Sequence, residues 1–252
     1  METLDLQPRL QAIADWVRPG ARLADVGTDH GYLPVWLLQN GRIGSAIAAD
    51  LRRGPLEHAR RTAAACGVAP LDFRLCDGLT GIAPHETDTI VIAGMGGETI
   101  AAILSAAPWL RETCPTLLLQ PMTKSELLRA YLAENGYRVL RERLVRDKGK
   151  LYPILEAIVG TMPSPTRGQL YGGFFTERDP LAGDYLAARG AKLQHILDGL
   201  GQAEHGGERA GQLSGILREI RSMERAWSDA NGQGNGTGTI CACPGGTGGE
   251  LG

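Results

Sequence analysis

Cysteine is sparse in the 252-residue chain: five residues, Cys66, Cys76, Cys114, Cys241 and Cys243, odd in number and without dense spacing. That excludes a disulfide framework and fits a reducing compartment. No cysteine has a histidine and an acid nearby in sequence, which argues against cysteine catalysis, and the isolated "CAC" pair has too few ligands for zinc, so no metal is expected. Charge of either sign is not in excess, since 26 basic residues face 28 acidic ones. A general electrostatic grip on nucleic acid is thereby excluded, and any such contact has to be local. Long apolar runs are missing too. The opening "METLDLQPRL" carries early acids, so neither a secretory signal nor a membrane span is expected, and the expected location is cytoplasmic. No internal repeat is visible.

With 43% hydrophobic residues the chain can bury one full core and carry a small appendage. Apolar positions recur at helical spacing from Leu4 to Val17. Short apolar runs follow, each bounded by glycine, proline or aspartate: "RLADVG", "GSAIAAD", "LDFRLCD", "TDTIVIAG" and "PTLLLQP". These read as buried strands. Helix-length segments at 54–66, 97–107 and 123–135 separate them, which predicts a parallel sheet covered on both faces. The runs "YRVLRERLV" and "LYPILEAIVG" have only a charged turn between them and predict an antiparallel hairpin.

After Gly160 the strands cease. The segment "TMPSPTRGQ" reads as a linker, and two apolar stripes, one from Leu186 to Leu200 and one from Leu213 to Trp227, predict an antiparallel helical hairpin. The glycine-rich end cannot repay the entropy of folding and is expected to lack structure. The expected organisation is an α/β domain over residues 1–160, a linker and helical hairpin over 161–228, and a tail over 229–252.

The loops after the strands carry the chemistry. In "ADVGTDHGYLP" a strand ending in Asp25 runs into a glycine turn and then a helix, which presents backbone N–H groups to a ligand. A pyrophosphate site would have little use for the carboxylate of Asp29 between Gly27 and Gly31. A ligand bearing an ammonium and a sulfonium, as S-adenosylmethionine does, would be attracted by it; the alternative is that Asp29 caps the next helix. Asp50, about 20 residues on, is placed to accept from ribose hydroxyls, or is simply a strand-end turn residue. Asp77 in "CDGL" is a candidate acceptor for an adenine amino group. Ligands of open α/β sheets bind at the carboxyl ends of the strands, so the three acids are expected to share one crevice. The "AGMGGET" turn, with Gly94, Gly96 and Gly97, allows close approach of backbone to substrate, or is an ordinary strand-to-helix turn.

The motifs "DVGTDHGYLP", "IAGMGGETI", "LQPMTKSELLRAYLAENGY" and "KGKLYPILEAIVG" together resemble the bacterial tRNA (adenine-22 N1) methyltransferase family over residues 4–160. The resemblance implies a Rossmann-like class I methyltransferase sheet with a C-terminal antiparallel hairpin, a small α-helical C-terminal extension, S-adenosylmethionine as methyl donor and tRNA as acceptor. It also matches Arg9 in "QPRL" to a family arginine. The glycine-rich tail has no counterpart in the family. The expected cofactor set is Asp25, Gly27, Asp29, His30, Gly31, Asp50, Leu51, Asp77, Gly78, Gly94, Met95 and Gly96. The expected RNA set is Arg9, Tyr32, Arg146, Lys148 and Lys150.

Many amino-methylating enzymes carry Asn-Pro-Pro-Tyr after the fourth strand; here Gly-Met-Gly-Gly stands there. A ring nitrogen such as adenine N1 already offers an in-plane lone pair and needs alignment more than proton removal. A nearby carboxylate would stabilise the charge that develops on the methylated base, and Asp29 is the candidate. His30 reads as a packing residue, because no proton needs removing before attack. Tyr32 is placed to stack on a base or to pack against the sheet. The segment from Arg138 to Lys150 is the most basic in the chain and would contact phosphates or guard an edge strand; simple alternation puts Arg141 and Arg143 on one face and Arg138 and Arg146 on the other. A small-molecule acceptor, or a non-catalytic RNA-binding role, remains open at this level.

Overall fold

The structure, a computed structural model, describes residues 3–69, 71–175, 179–200 and 207–232. Of the tail expected over 229–252, residues 229–232 continue the last helix, and the rest, with Cys241 and Cys243, lies outside the described residues. The expected apolar runs form β1 (Ala21–Val26), β2 (Ile43–Asp50), β3 (Leu71–Leu75), β4 (Thr89–Gly96) and β5 (Thr116–Thr123), followed by the hairpin of β6 (Tyr137–Asp147) and β7 (Lys150–Val159). They make one seven-stranded sheet in the order β3-β2-β1-β4-β5-β7-β6. The first five strands are parallel, and β7 runs antiparallel to both neighbours.

Alternation along the strands divides the core into two layers. Ala24, Val26, Ile90, Ile92, Leu117 and Leu119 face the layer of α4 (Gly97–Ser105), α5 (Leu110–Thr113) and α6 (Ser125–Glu134). Leu23, Val91 and Leu118 face the layer of α1 (Pro8–Ala14) and α2 (Tyr32–Gln39). The α1 helix is shorter than its apolar spacing predicts. Pro8 starts it, and the residue before a proline is pushed to extended backbone, as Gln7 is at φ −61° and ψ 152°. The α3 helix (Arg53–Ala65) crosses between β2 and β3. Because β1 has β2 on one side and β4 on the other, chain connections leave it in opposite directions and open a crevice at its carboxyl end.

The segment read as a linker contains a further helix, α7 (Arg167–Gly172), closed by a capping box between Thr166 and Gln169. The helices α8 (Ala182–Leu200) and α9 (Gly207–Gly232) pack antiparallel, with Gly183 against Trp227 and Gly190 against Leu217. Leu186, Leu193, Ile216, Leu217 and Ile220 form their own small core. A second apolar contact, Leu144 with Ala182 and Tyr185, docks these helices on the β6–β7 hairpin. No helix among the described residues is long and apolar enough to cross a membrane.

Candidate active site

Two glycines shape the loop after β1. Gly27 has φ +80°, and a Cβ there would lie 2.0 Å from Met95 Cε. Gly31 has φ +68°, and a Cβ there would lie 2.9 Å from the Cβ of Ala59 on α3. Both positions therefore need glycine for backbone angle, and Gly31 needs it for space as well, since Ala59 cannot swing aside as the Met95 methyl can. Gly31 is also the N-cap of α2, which receives no side-chain cap bond, so Asp29 does not cap that helix. That removes the purely structural reading of its carboxylate.

Gly27 belongs to two clefts. The first, about 360 Å³, is lined by Val26, Asp50, Leu51, Asp77, Gly78 and Met95, together with Arg52, Thr99 and Ile103. Asp50 is buried, and one of its oxygens accepts from the Arg52 backbone N–H at 2.8 Å. Leu51 is 65% exposed at the rim, an apolar surface without a protein partner of its own. Ile103 lies close under Gly78, where a Cβ would come within 3.0 Å of it. This donor set suits a nucleoside: a carboxylate at ribose depth, a second one at Asp77, and apolar walls for a flat base. Six of the expected cofactor residues, Gly27, Asp50, Leu51, Asp77, Gly78 and Met95, are brought together here.

The second cleft, about 500 Å³, is lined by Asp25, Asp29, His30, Gly31, Tyr32 and Gly94, with Arg9, Gln120 and Met122. Asp25 lines the second cleft only, near enough to Asp50 of the first for their charges to interact. Burial pushes its carboxyl up to about 6, a hydrogen bond from Thr28 draws it down, and the charge of Asp50 adds to the rise. A cation bound beside it would reverse the effect. Asp29, by contrast, has a side chain 70% exposed, with Oδ2 3.5 Å from His30 Nε2. Gly96, the remaining cofactor expectation, is the N-cap of α4.

His30 lies inside a column of rings. Its centroid is 5.0 Å from Tyr32 at 6° and 4.8 Å from His58 at 12°. Donor atoms of Asp29, His30 and His58 approach within 4.8 Å of one another. The two imidazole planes are nearly parallel, however, so their in-plane lone pairs do not converge on one point. As arranged, the group is a stack beside a carboxylate and not a metal centre.

Arg9 is held on every side. Nε lies 2.5 Å from Asp147 Oδ2, Nη1 donates to Gln120 Oε1 at 3.2 Å, and the guanidinium sits 5.0 Å above the Tyr152 ring. Gln120, 1% exposed, also accepts from the Gly94 N–H at 3.2 Å. Sequence reading did not single out Gln120. The available signal was a lone amide closing the apolar run "PTLLLQP" at a strand's carboxyl end.

Arg146 and Lys150 line a third cleft, about 720 Å³, between the β6–β7 turn and α8, where Arg189 and Lys192 face them. Arg146 is paired there with Asp184 at 2.6 Å, while Lys148, at φ 48°, forms the turn itself. Simple alternation fails along β6. The register shifts between Val139 and Arg141, so Arg138, opposite Ile158, shares a face with Arg141, opposite Glu156, and with Arg143, opposite Ile154. A bulge at Leu140 explains the difference, since an extra residue inverts every later side chain.

A parallel sheet ending in an antiparallel hairpin, with acids at the tips of β1 and β2 around a nucleoside-shaped cleft, defines a class I methyltransferase, and the methyltransferase-domain family matches residues 6–155. The tRNA (adenine(22)-N(1))-methyltransferase of Bacillus subtilis strain 168 is 35% identical over 188 residues, covering 74% of this chain and 77% of that one. The solved B. subtilis m1A22 tRNA methyltransferase superposes with a TM-score of 0.79 at 28% identity over 88% of this chain and 99% of its own. Streptococcus pneumoniae Sp1610, solved in complex with S-adenosyl-L-methionine, gives 0.75 at 31% identity over 86% and 98%. The chain belongs to the tRNA (adenine(22)-N(1))-methyltransferase family.

Proposed function

We propose that this protein transfers a methyl group from S-adenosylmethionine to N1 of adenine 22 in the D arm of tRNA. Bound in the first cleft, S-adenosylmethionine supplies an electrophilic methyl group on a sulfonium. Asp50 holds the ribose hydroxyls, Asp77 the adenine amino group, and Asp25 the positive end of the methionine part. The acceptor adenine occupies the second cleft, reached across Gly27. With the donor in place, the N1 lone pair would take the methyl group, S-adenosylhomocysteine would be left as the neutral thioether, and the positive charge would pass to the base. Asp29, exposed in that cleft and capping nothing, stabilises the charge. No base is required, because N1 already carries a lone pair, so the Asp29–His30 contact in the cleft has no proton to remove. Tyr32 stacks on RNA bases, Lys148 and Lys150 contact phosphates, and the helical extension helps to seat the tRNA. A tRNA substrate implies work in the cytoplasm.

The observation that carries this reading is the pair of clefts meeting at Gly27, one with nucleoside-binding acids and one with an uncommitted carboxylate. The test is incubation with labelled S-adenosylmethionine and unmodified tRNA, followed by mapping of the methylated base. Label at N1 of adenine 22 is expected, and label elsewhere or none rejects the assignment. Asp29→Asn is expected to lower kcat at unchanged cofactor affinity.

A further inference from the structure

The fold commits half of the cations that composition singles out, leaving Arg138, Lys148 and Lys150 exposed and without a partner among the described residues. In β6, Arg141 is bound by Glu156, Arg143 by Asp15 and the Ala12 carbonyl, and Arg146 by Asp184. On the opposite side of the active-site mouth the segment "LRRGPLEHARR", residues 51–61, places four arginines against one acid. Arg53 and Arg61 on α3 are exposed and, among the described residues, have no hydrogen bond, ion pair or ring partner. The side chain of Arg52 is 77% exposed, with Nε no closer than 3.9 Å to Asp50. Glu57, the one acid on this face, lies 4.0 Å from Arg60, which itself covers the Phe73 ring.

The buried side of α3 fixes where this face points. Pro55, Leu56, Ala59 and Ala63 pack inward, and Ala59 seats against Gly31 of the acceptor loop. That contact brings the exposed His58 onto His30 and extends the ring column from Tyr32 in the acceptor cleft out to the helix surface. The column therefore leads from the cleft directly to the free arginines: Arg61 is one helical turn beyond His58, and Arg53 precedes it on the same exposed side.

We propose that the exposed face of α3, comprising Arg53, His58 and Arg61, is an RNA-binding surface, with the arginines on backbone phosphates and the outer face of His58 stacking an unpaired base beside the acceptor. The inference rests on the tRNA methylation reading and extends the footprint to the side of the mouth away from the helical extension. The chemistry selects a polyanion with accessible bases over a protein partner, because unpaired guanidinium groups flank an open ring face.

The test measures the affinity of unmodified tRNA as a function of salt, together with steady-state methylation, for wild type, Arg53→Gln, Arg61→Gln and His58→Ala. Arg22→Gln, at the opposite end of β1, serves as a matched charge control. Each phosphate contact contributes about 0.9 to the slope of log K against log salt. Arg53→Gln and Arg61→Gln are expected to lower the slope by about one each and raise KM for tRNA, with KM for S-adenosylmethionine unchanged. His58→Ala is expected to weaken binding about tenfold with a smaller change of slope than either arginine variant, since it removes stacking and no permanent charge. Slopes equal to those of wild type and Arg22→Gln, or undiminished affinity in His58→Ala, overturn the proposal. Wild-type protein that methylates no tRNA instead rejects the underlying function, so the two failures are distinguishable.

Discussion

Arg9 Nε lies 2.5 Å from Asp147 Oδ2 and joins the first helix to the turn of the last hairpin. Through Gln120 the same guanidinium reaches the Gly94 N–H at the tip of β4. The charge of Arg9 is already committed, so its expected contribution is to hold Gly94 in place. Arg9→Gln is expected to leave the salt slope of tRNA binding unchanged while lowering kcat between about ten- and a hundredfold, the cost of a misplaced reacting group. It also strands Asp147, 4% exposed, and should reduce unfolding free energy by about 3 kcal/mol in denaturant titration. A slope that falls by a full unit would put Arg9 on a phosphate.

Asp25 predicts a pH dependence. Its folded value, about 6, lies above the ordinary 3.8, so burial of the carboxylate costs stability that is absent below pH 4 and fully developed above pH 6. The cost is on the order of 3 kcal/mol from the size of that shift. The cationic cofactor favours the ionised form, so its affinity should rise as pH passes upward through 6, with a proton released on binding at lower pH. Calorimetry in buffers of different ionisation heat measures that proton. Asp25→Asn should raise the melting temperature of the cofactor-free protein at neutral pH, weaken cofactor binding and flatten the pH profile.

The inner parallel strands were legible because each is a largely apolar run, the signature of burial on both faces, while the edge strand β3 has no buried residue; the acids at the strand tips followed from chain order alone. The α7 helix could have been read from Thr166 and Gln169, a capping box hidden in a segment that its prolines made look like a linker. The bulge at Leu140 leaves no mark in "YRVLRERLV", because no glycine or proline stands at or beside it. The fate of the basic residues was illegible for a different reason. Their partners, Asp15, Glu156 and Asp184, come from three separate elements, so local charge counting overstates the free charge on β6 and misses it on α3. His58 is unreadable as a site residue until Ala59 is seen against Gly31.

Gly27 tests the junction between the clefts. Gly27→Ala meets both an unfavourable backbone angle and the Met95 methyl group, so cofactor affinity should drop by more than about tenfold, roughly 1.4 kcal/mol. Met95→Ala in the same chain relieves the clash but not the angle. The double variant should therefore regain part of the affinity by calorimetry, and full recovery would show that backbone angle is unimportant there.

Arg129 and Glu142 are both fully buried, with Nη2 and Oε1 2.5 Å apart. Burial alone would lower the guanidinium's pKa, but the adjacent Glu142 charge reverses this and holds it above its ordinary range. The pair also binds the helical extension: Arg129 donates to the Leu170 carbonyl at 2.6 Å, and Glu142 accepts from the Phe174 N–H at 2.9 Å. Arg129→Met leaves an unpaired buried carboxylate and should cost about 3–5 kcal/mol in denaturant titration. Replacing both, Arg129→Met with Glu142→Leu, removes the lone charge, and an isolated buried pair would then return to near wild-type stability. Here it should not. Two backbone groups of the α7 region lose their partners, each at about 1–3 kcal/mol, so the double variant should remain destabilised and its helical extension should exchange amide hydrogens faster than the sheet.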